Sequence, residues 1–158
     1  MKKRIALVVD ASVMRAAGKT NHPVSSSCRK CLEQILCICH HVAITQSIRN
    51  EWNKHKSHFS RRWWLSMTAR RKLKYIPHED IFHEELNPSH ISLNDADQKA
   101  IKKDCCLLEA ALLSDHVIIT LDDSIRKILL KTKRGLKLAK KIKWINPLID
   151  KIEDLKNL

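Results

Sequence analysis

IALVVDASVM, residues 5–14, sets the reading of the whole chain. Ile5 to Val9 form a short continuous apolar run rich in β-branched side chains, which predicts a strand buried on both faces. Asp10 ends that run. The basic start MKKR followed by an apolar stretch also fits the opening of a secretory signal, but Asp10 cuts the stretch short and no small-residue cleavage site follows. The strand reading is therefore preferred.

Working outward, HVAIT at 41–45, VIIT at 117–120 and WIN at 144–146 read as three further strands. Between them lie helical stretches: 27–39 after the breaker region Gly18 to Pro23, then 46–55, 58–75 and 95–113. Another helix opens at Asp122 or Asp123 and runs to about Lys133, and a terminal helix closes the chain. Pro77 to Leu93, with Pro88 and scattered His, reads as an irregular loop. Strands that alternate with helices predict an α/β fold: a mostly parallel central sheet with helices on both faces. A chain of 158 residues suits one such domain.

Composition narrows the function class. Apolar residues make up 44% and charged residues 30% of the chain, as in globular proteins, and no apolar run nears the roughly 20 residues that cross a bilayer. No membrane role is expected. With no export signal read, the six cysteines are expected to be thiols in a reducing cytoplasm.

The net charge of +13 is concentrated locally. Residues 49–74 carry nine Lys or Arg against one acid, Glu51, and residues 126–143 carry nine against none. The remainder is slightly acidic. A single charge run is usually a solvated helix face, but two blocks on an otherwise acidic domain fit an electrostatic footprint for phosphate. Trp63 and Trp64, flanked by Arg61, Arg62, Arg70, Arg71 and Lys72, add aromatic surface that either stacks on bases or fills the core. Core packing is expected of at least one Trp.

Four acids stand out. In parallel sheets, ligands bind beyond the carboxyl ends of the strands, and Asp10 and Asp122 follow two such ends. Each has a plainer alternative as a helix N-cap. Asp104 has Ala100, Ile101, Leu107 and Leu108 at helical spacings of three and four, so no cation can pair with it along its helix. A buried Asp needs a partner or a metal. Glu51 is either a surface charge paired with Arg49, Lys54 or His55, or a metal ligand kept ionised by those cations.

The set IALVVDAS, VAITQSIRNEW and DCCLLEAALLSDHVIITLDD resembles the PIN-domain ribonucleases, a family that includes the toxins of many toxin/antitoxin pairs. The resemblance runs through short motifs from about residue 5 to 147. It implies a PIN-like fold, with Asp10, Glu51, Asp104 and Asp122 as catalytic metal ligands, and Ser12 and Thr120 as supporting hydroxyls. Asp123, next to Asp122, and Asp97, seven residues before Asp104, are additional candidates. Hard oxygen ligands imply Mg²⁺ or Mn²⁺ and metal-assisted cleavage of RNA. The implied partners are RNA and a small antitoxin protein, with a homo-oligomer left open. A non-catalytic nucleic-acid-binding module and a structural partner in a larger complex are the rival readings. Arg61, Arg62, Arg70, Arg71 and Lys72 are the expected nucleic-acid contacts.

The run CRKCLEQILCICHH contains a CxxC pair, Cys28 and Cys31, but its thiols lie mostly along one expected helix and lack a second knuckle. They read as core, as do Cys105 and Cys106. No histidine motif supports a metal-independent ribonuclease.

Overall fold

The computed structural model describes residues 3–77 and 94–158. Its centre is a five-stranded, all-parallel sheet formed by β1 (Ala6–Val9), β2 (His41–Ile44), β3 (Leu73–Tyr75), β4 (Val117–Ile119) and β5 (Lys143–Ile145), in the order β3-β2-β1-β4-β5. β1 is buried along its whole length, which accounts for a sequence with no polar alternation.

The helices are α1 (Ala11–Ala16), α2 (Pro23–Cys37), α3 (Gln46–His55), α4 (His58–Ala69), α5 (Asp95–Leu112), α6 (Ser124–Leu129) and α7 (Lys133–Lys141), followed by a 3-10 helix, Ile152–Asn157. Hydroxyl and amide side chains start several of them. Thr45, Ser57, Asn94 and Thr132 each accept an N–H from three residues on.

Strand order places the site. From β1 the chain moves one way to β2 and β3, then returns to β4 on the other flank of β1 and continues to β5. With right-handed crossovers, α1–α4 cover one face and α5–α7 the other. The direction reverses between β1 and β4, and the carboxyl ends of those two strands flank the crevice where such sheets hold ligands. Asp10 and Asp122 follow those ends.

Several elements differ from expectation: a short helix, α1, follows β1 directly, and α2 starts at Pro23 rather than at 27. The stretch 58–75 is not one helix: α4 stops at Ala69, Arg71 takes a left-handed turn (φ 54°), and Leu73–Tyr75 form the edge strand β3. Lys74 and Tyr75 are exposed and Leu73 is only partly buried, so β3 carries little apolar signal. The second basic block contains a separate helix, α7, which Thr132 starts beyond the end of α6. Gly135 lets α7 close on α6, since a Cβ there would overlap the Leu129 carbonyl oxygen. The terminal helix is a 3-10 helix, pinned by His40 Nε2 against the Leu155 carbonyl at 2.9 Å. The loop expected from Pro77 to Leu93 lies, Pro77 apart, outside the described residues.

The tryptophans are mainly core. Trp52 and Trp63 are buried, with indole N–H groups donating to the carbonyls of Val9 (3.0 Å) and Leu32 (2.7 Å). Trp64 meets Trp52 edge-on, its ring centroid 5.2 Å away, and carries the Lys56 ammonium over its face. An exposed, apolar Trp segment would favour the structural-partner reading, and Trp52 and Trp63 are buried instead. Cys28 and Cys31 are buried in the core, where desolvation pushes their thiols up to about 11 and about 12.

Candidate metal centre at the carboxyl edge

Asp10 stands where β1 gives way to α1, and its N–H donates to the Ile119 carbonyl of β4 at 2.9 Å. One carboxylate oxygen, Oδ2, accepts the hydroxyls of Ser12 (2.6 Å) and Thr120 (2.8 Å). Those hydroxyls also tie the loop after β4 into place. Ser12 Oγ accepts the Leu121 N–H at 3.2 Å, and Thr120 Oγ1 accepts the Asp122 N–H at 3.0 Å. The two supporting residues therefore hold one oxygen of Asp10 and leave its other oxygen free to meet a ligand.

Two adjoining hollows open at this edge. Asp10, Asp104, Thr120 and Asp122 line one of about 30 Å³, together with Leu107 and Trp144. Asp10, Glu51, Lys103 and Asp104 line the other, of about 90 Å³, together with Trp52. Asp10 and Asp104 border both. No single hollow is bordered by all four acids: Asp122 borders only the smaller and Glu51 only the larger, while Asp10 and Asp104 join the two, and even the smaller hollow can take a water-sized species.

Asp104 feels this crowding most. Partial burial on α5 raises its carboxyl above the usual range, and the charges of Asp10, Asp122 and Glu51 push the same way against the pull of Lys103. Asp122 moves oppositely: the Ser124 hydroxyl and N–H both donate to its Oδ1 and lower its carboxyl. A carboxylate held up by desolvation and like charge is what a bound cation would relieve.

The side chains are not gathered into a closed ligand shell. Among the described residues, no three His, Cys, Asp or Glu groups stand together as a set able to hold an ion. Three of the four acids have neighbours of their own: Asp122 has Ser124, Glu51 has Lys54 (3.0 Å) and His55 (3.6 Å), and Asp10 has its two hydroxyls. The alternative reading of Glu51 as a paired surface charge is therefore realised, although Glu51 also borders the larger hollow. Hard carboxylate oxygens of this kind fit Mg²⁺ or Mn²⁺ in chemistry, and Asp10 and Asp104, which border both hollows, are the residues that could hold such an ion.

The additional candidates separate. Asp97 is bound to Lys131 at 2.6 Å and borders neither hollow. Asp123 is exposed at the N-cap of α6 without a side-chain capping bond, and Asp122, not Asp123, lines the smaller hollow.

The expected nucleic-acid contacts do not form one patch. Arg61 and Arg62 are exposed on the first half of α4. Arg70 and Arg71 precede β3, so in a parallel sheet they stand at the amino edge, opposite the acids. Lys72 acts structurally, since its ammonium donates to the carbonyls of Ile35, Leu36 and Ile38 at the end of α2, where the helix dipole favours a cation. Its donors are thereby taken from any phosphate. Besides Lys54 on Glu51, Lys103 and Lys127 act on the acids, and neither was named as a site residue from the sequence. Both lower the Asp122 carboxyl, after the larger effect of Ser124. The sequence signal for Lys103 was position alone, one residue before Asp104, whereas Lys127 lies in the second basic block, five residues after Asp122.

Among the described residues, no helix is long and apolar enough to cross a membrane. No protein-family model and no curated protein matches this chain.

Proposed function

We propose that this chain is a divalent-metal-dependent endoribonuclease of the PIN type, cytoplasmic, and the toxin of a toxin/antitoxin pair restrained by a small partner protein. The observation that supports the nuclease reading is the pair Asp10 and Asp104 bordering two hollows at the β1/β4 switch point, with Asp122 on one and Glu51 on the other. The toxin reading rests on the sequence resemblance alone.

In this account Asp10 and Asp104 are the central ligands of Mg²⁺ or Mn²⁺, and Asp122 and Glu51 complete the set. An ion bound there supplies polarisation of a water and neutralisation of charge on the scissile phosphate and the leaving oxygen. The protein's own groups do the positioning. Ser12 and Thr120 fix the orientation of Asp10. Lys103 and Lys127 counter the acids, so that a phosphate can approach an otherwise repulsive cleft.

The rival, a nucleic-acid-binding module without catalysis, is favoured by one observation: Glu51 and Asp122 are turned to partners of their own. A mixed RNA pool incubated with Mg²⁺, with Mn²⁺ and with a chelator decides between the two. The nuclease account expects cleavage with metal only, abolished in Asp104→Asn with RNA binding retained. Strong binding with no cleavage in either metal would establish the rival.

A further inference from the structure

The edge of the sheet opposite the acids carries a row of basic residues. Because all five strands are parallel, every residue that leads into a strand lies on that amino edge. Following the strand order, Arg70 and Arg71 lead into β3, Lys3 and Arg4 into β1, and Lys140, Lys141 and Lys143 lead into or open β5. His41 opens β2, and its imidazole is lowered by burial first and then by the charges of Arg4, Lys72 and Lys74. Five strands at about 4.8 Å spacing make this row about 19 Å wide.

At the β1/β4/β5 end the row borders a shallow, open groove of about 470 Å³, lined by Lys3, Lys140, Lys141, Lys143 and His116 with Asn157 and Leu158. His116 turns the chain there with a left-handed backbone (φ 61°), and its carbonyl accepts the Lys143 N–H at 2.7 Å. The one Asp bordering the groove, Asp115, is tied to the Ala6 N–H through Oδ2 at 2.7 Å. Among the described residues, none of the four lysines is paired with a carboxylate. Several unpaired ammonium groups along a groove match a polyanion whose charges repeat along its length, and cost free energy through mutual repulsion when nothing is bound.

We infer that the amino edge of the sheet is a second RNA site, which grips the phosphate backbone through Lys3, Lys140, Lys141 and Lys143, apart from the carboxylate cleft. The inference shares with the proposed function only that RNA is the ligand. It needs no cleavage, and it is tested with metal removed.

The test is the affinity of a fluorescent oligouridylate for the full chain in chelator, measured by anisotropy across a salt series. Each phosphate contact on a single strand contributes about 0.7 to the slope of log affinity against log salt. K140Q/K141Q/K143Q should therefore flatten the slope by about 2 and weaken binding about a hundredfold at 0.1 M salt. K140R/K141R/K143R should restore it. K19Q/K30Q/K99Q, which removes the same charge from exposed lysines elsewhere, should change the slope by much less. Equal losses in both glutamine triples would overturn the inference by reducing it to net charge, and so would no loss in either. Loss of polyglutamate binding with RNA binding unchanged would also overturn it, in favour of an acidic protein partner. Absence of nuclease activity would bear on the cleft alone and leave this result standing.

Discussion

Asp104→Asn should make the metal-free protein more stable and the metal-loaded protein less so. The Asp104 carboxyl is raised in the fold, first by burial and then by Asp10, Asp122 and Glu51. An acid whose folded pKa lies above its unfolded value contributes stability that is fully present below the unfolded value and lost as pH rises through the folded one. At neutral pH, ionised Asp104 is therefore a liability of the empty cleft, and the amide removes it. Metal binding reverses the balance. An ion at a hundred times its dissociation constant stabilises the native state by about 2.7 kcal/mol, and for a chain of this size each kcal/mol moves Tm by about 2–4 °C. Wild type should gain about 5–11 °C with saturating Mn²⁺, whereas Asp104→Asn should start higher and gain less than half as much. Differential scanning fluorimetry at pH 7 and pH 5, with chelator and with Mn²⁺, reads all of this. The metal-free advantage of the variant should shrink at pH 5. If the variant melts lower than wild type in chelator and keeps the full Mn²⁺ increment, Asp104 is not a charged ligand held against its neighbours.

Other substitutions separate roles within the same fold. Thr120→Val removes the hydroxyl that holds Asp10 and accepts the Asp122 N–H; it should lower kcat at least tenfold with RNA affinity within twofold, and cost about 1–2 kcal/mol of stability in urea denaturation. Asp122→Asn should lose cleavage while Asp123→Asn retains it, as compared in a single-turnover assay; the reverse order would reassign the ligand. Lys72→Met should lower Tm by removing the cation from the carbonyls that end α2, while changing the salt dependence of RNA binding by less than one contact's worth, about 0.7 in slope.

The sequence is most legible where packing dictates composition. IALVV, HVAIT and VIIT read as buried strands, and each contains one, so the parallel sheet and the acids at its carboxyl edge follow from β-branched runs ended by polar residues. β3 escapes because an edge strand with Lys74 and Tyr75 in solvent has no such run, and its basic residues continue the pattern of α4. α7 escapes because Thr132 begins it so soon after α6 that the two basic helices read as one charged stretch. Missing β3 had a consequence for function. Without it, Arg70 and Arg71 look like neighbours of Arg61 and Arg62, whereas the strand puts them on the amino edge. Lys72 looks like one more surface cation because its carbonyl partners, Ile35, Leu36 and Ile38, lie more than thirty residues away in the chain. For the acids, position could be read but orientation could not, since the Ser124 and His55 contacts depend on rotamers that sequence does not specify.

The central claim is that a divalent ion held by this carboxylate cluster cuts RNA, and the most direct measurement follows one end-labelled oligoribonucleotide through a Mn²⁺ titration, with wild type beside Asp104→Asn. Wild type should show no cleavage in chelator and a rate that saturates with Mn²⁺, and its products should lack a 2′,3′-cyclic phosphate, because water rather than the neighbouring 2′-hydroxyl attacks phosphorus. Asp104→Asn should bind the oligonucleotide without cutting it. Cleavage that persists in chelator or in the variant, or tight binding with no cleavage at any Mn²⁺ concentration, would contradict the claim.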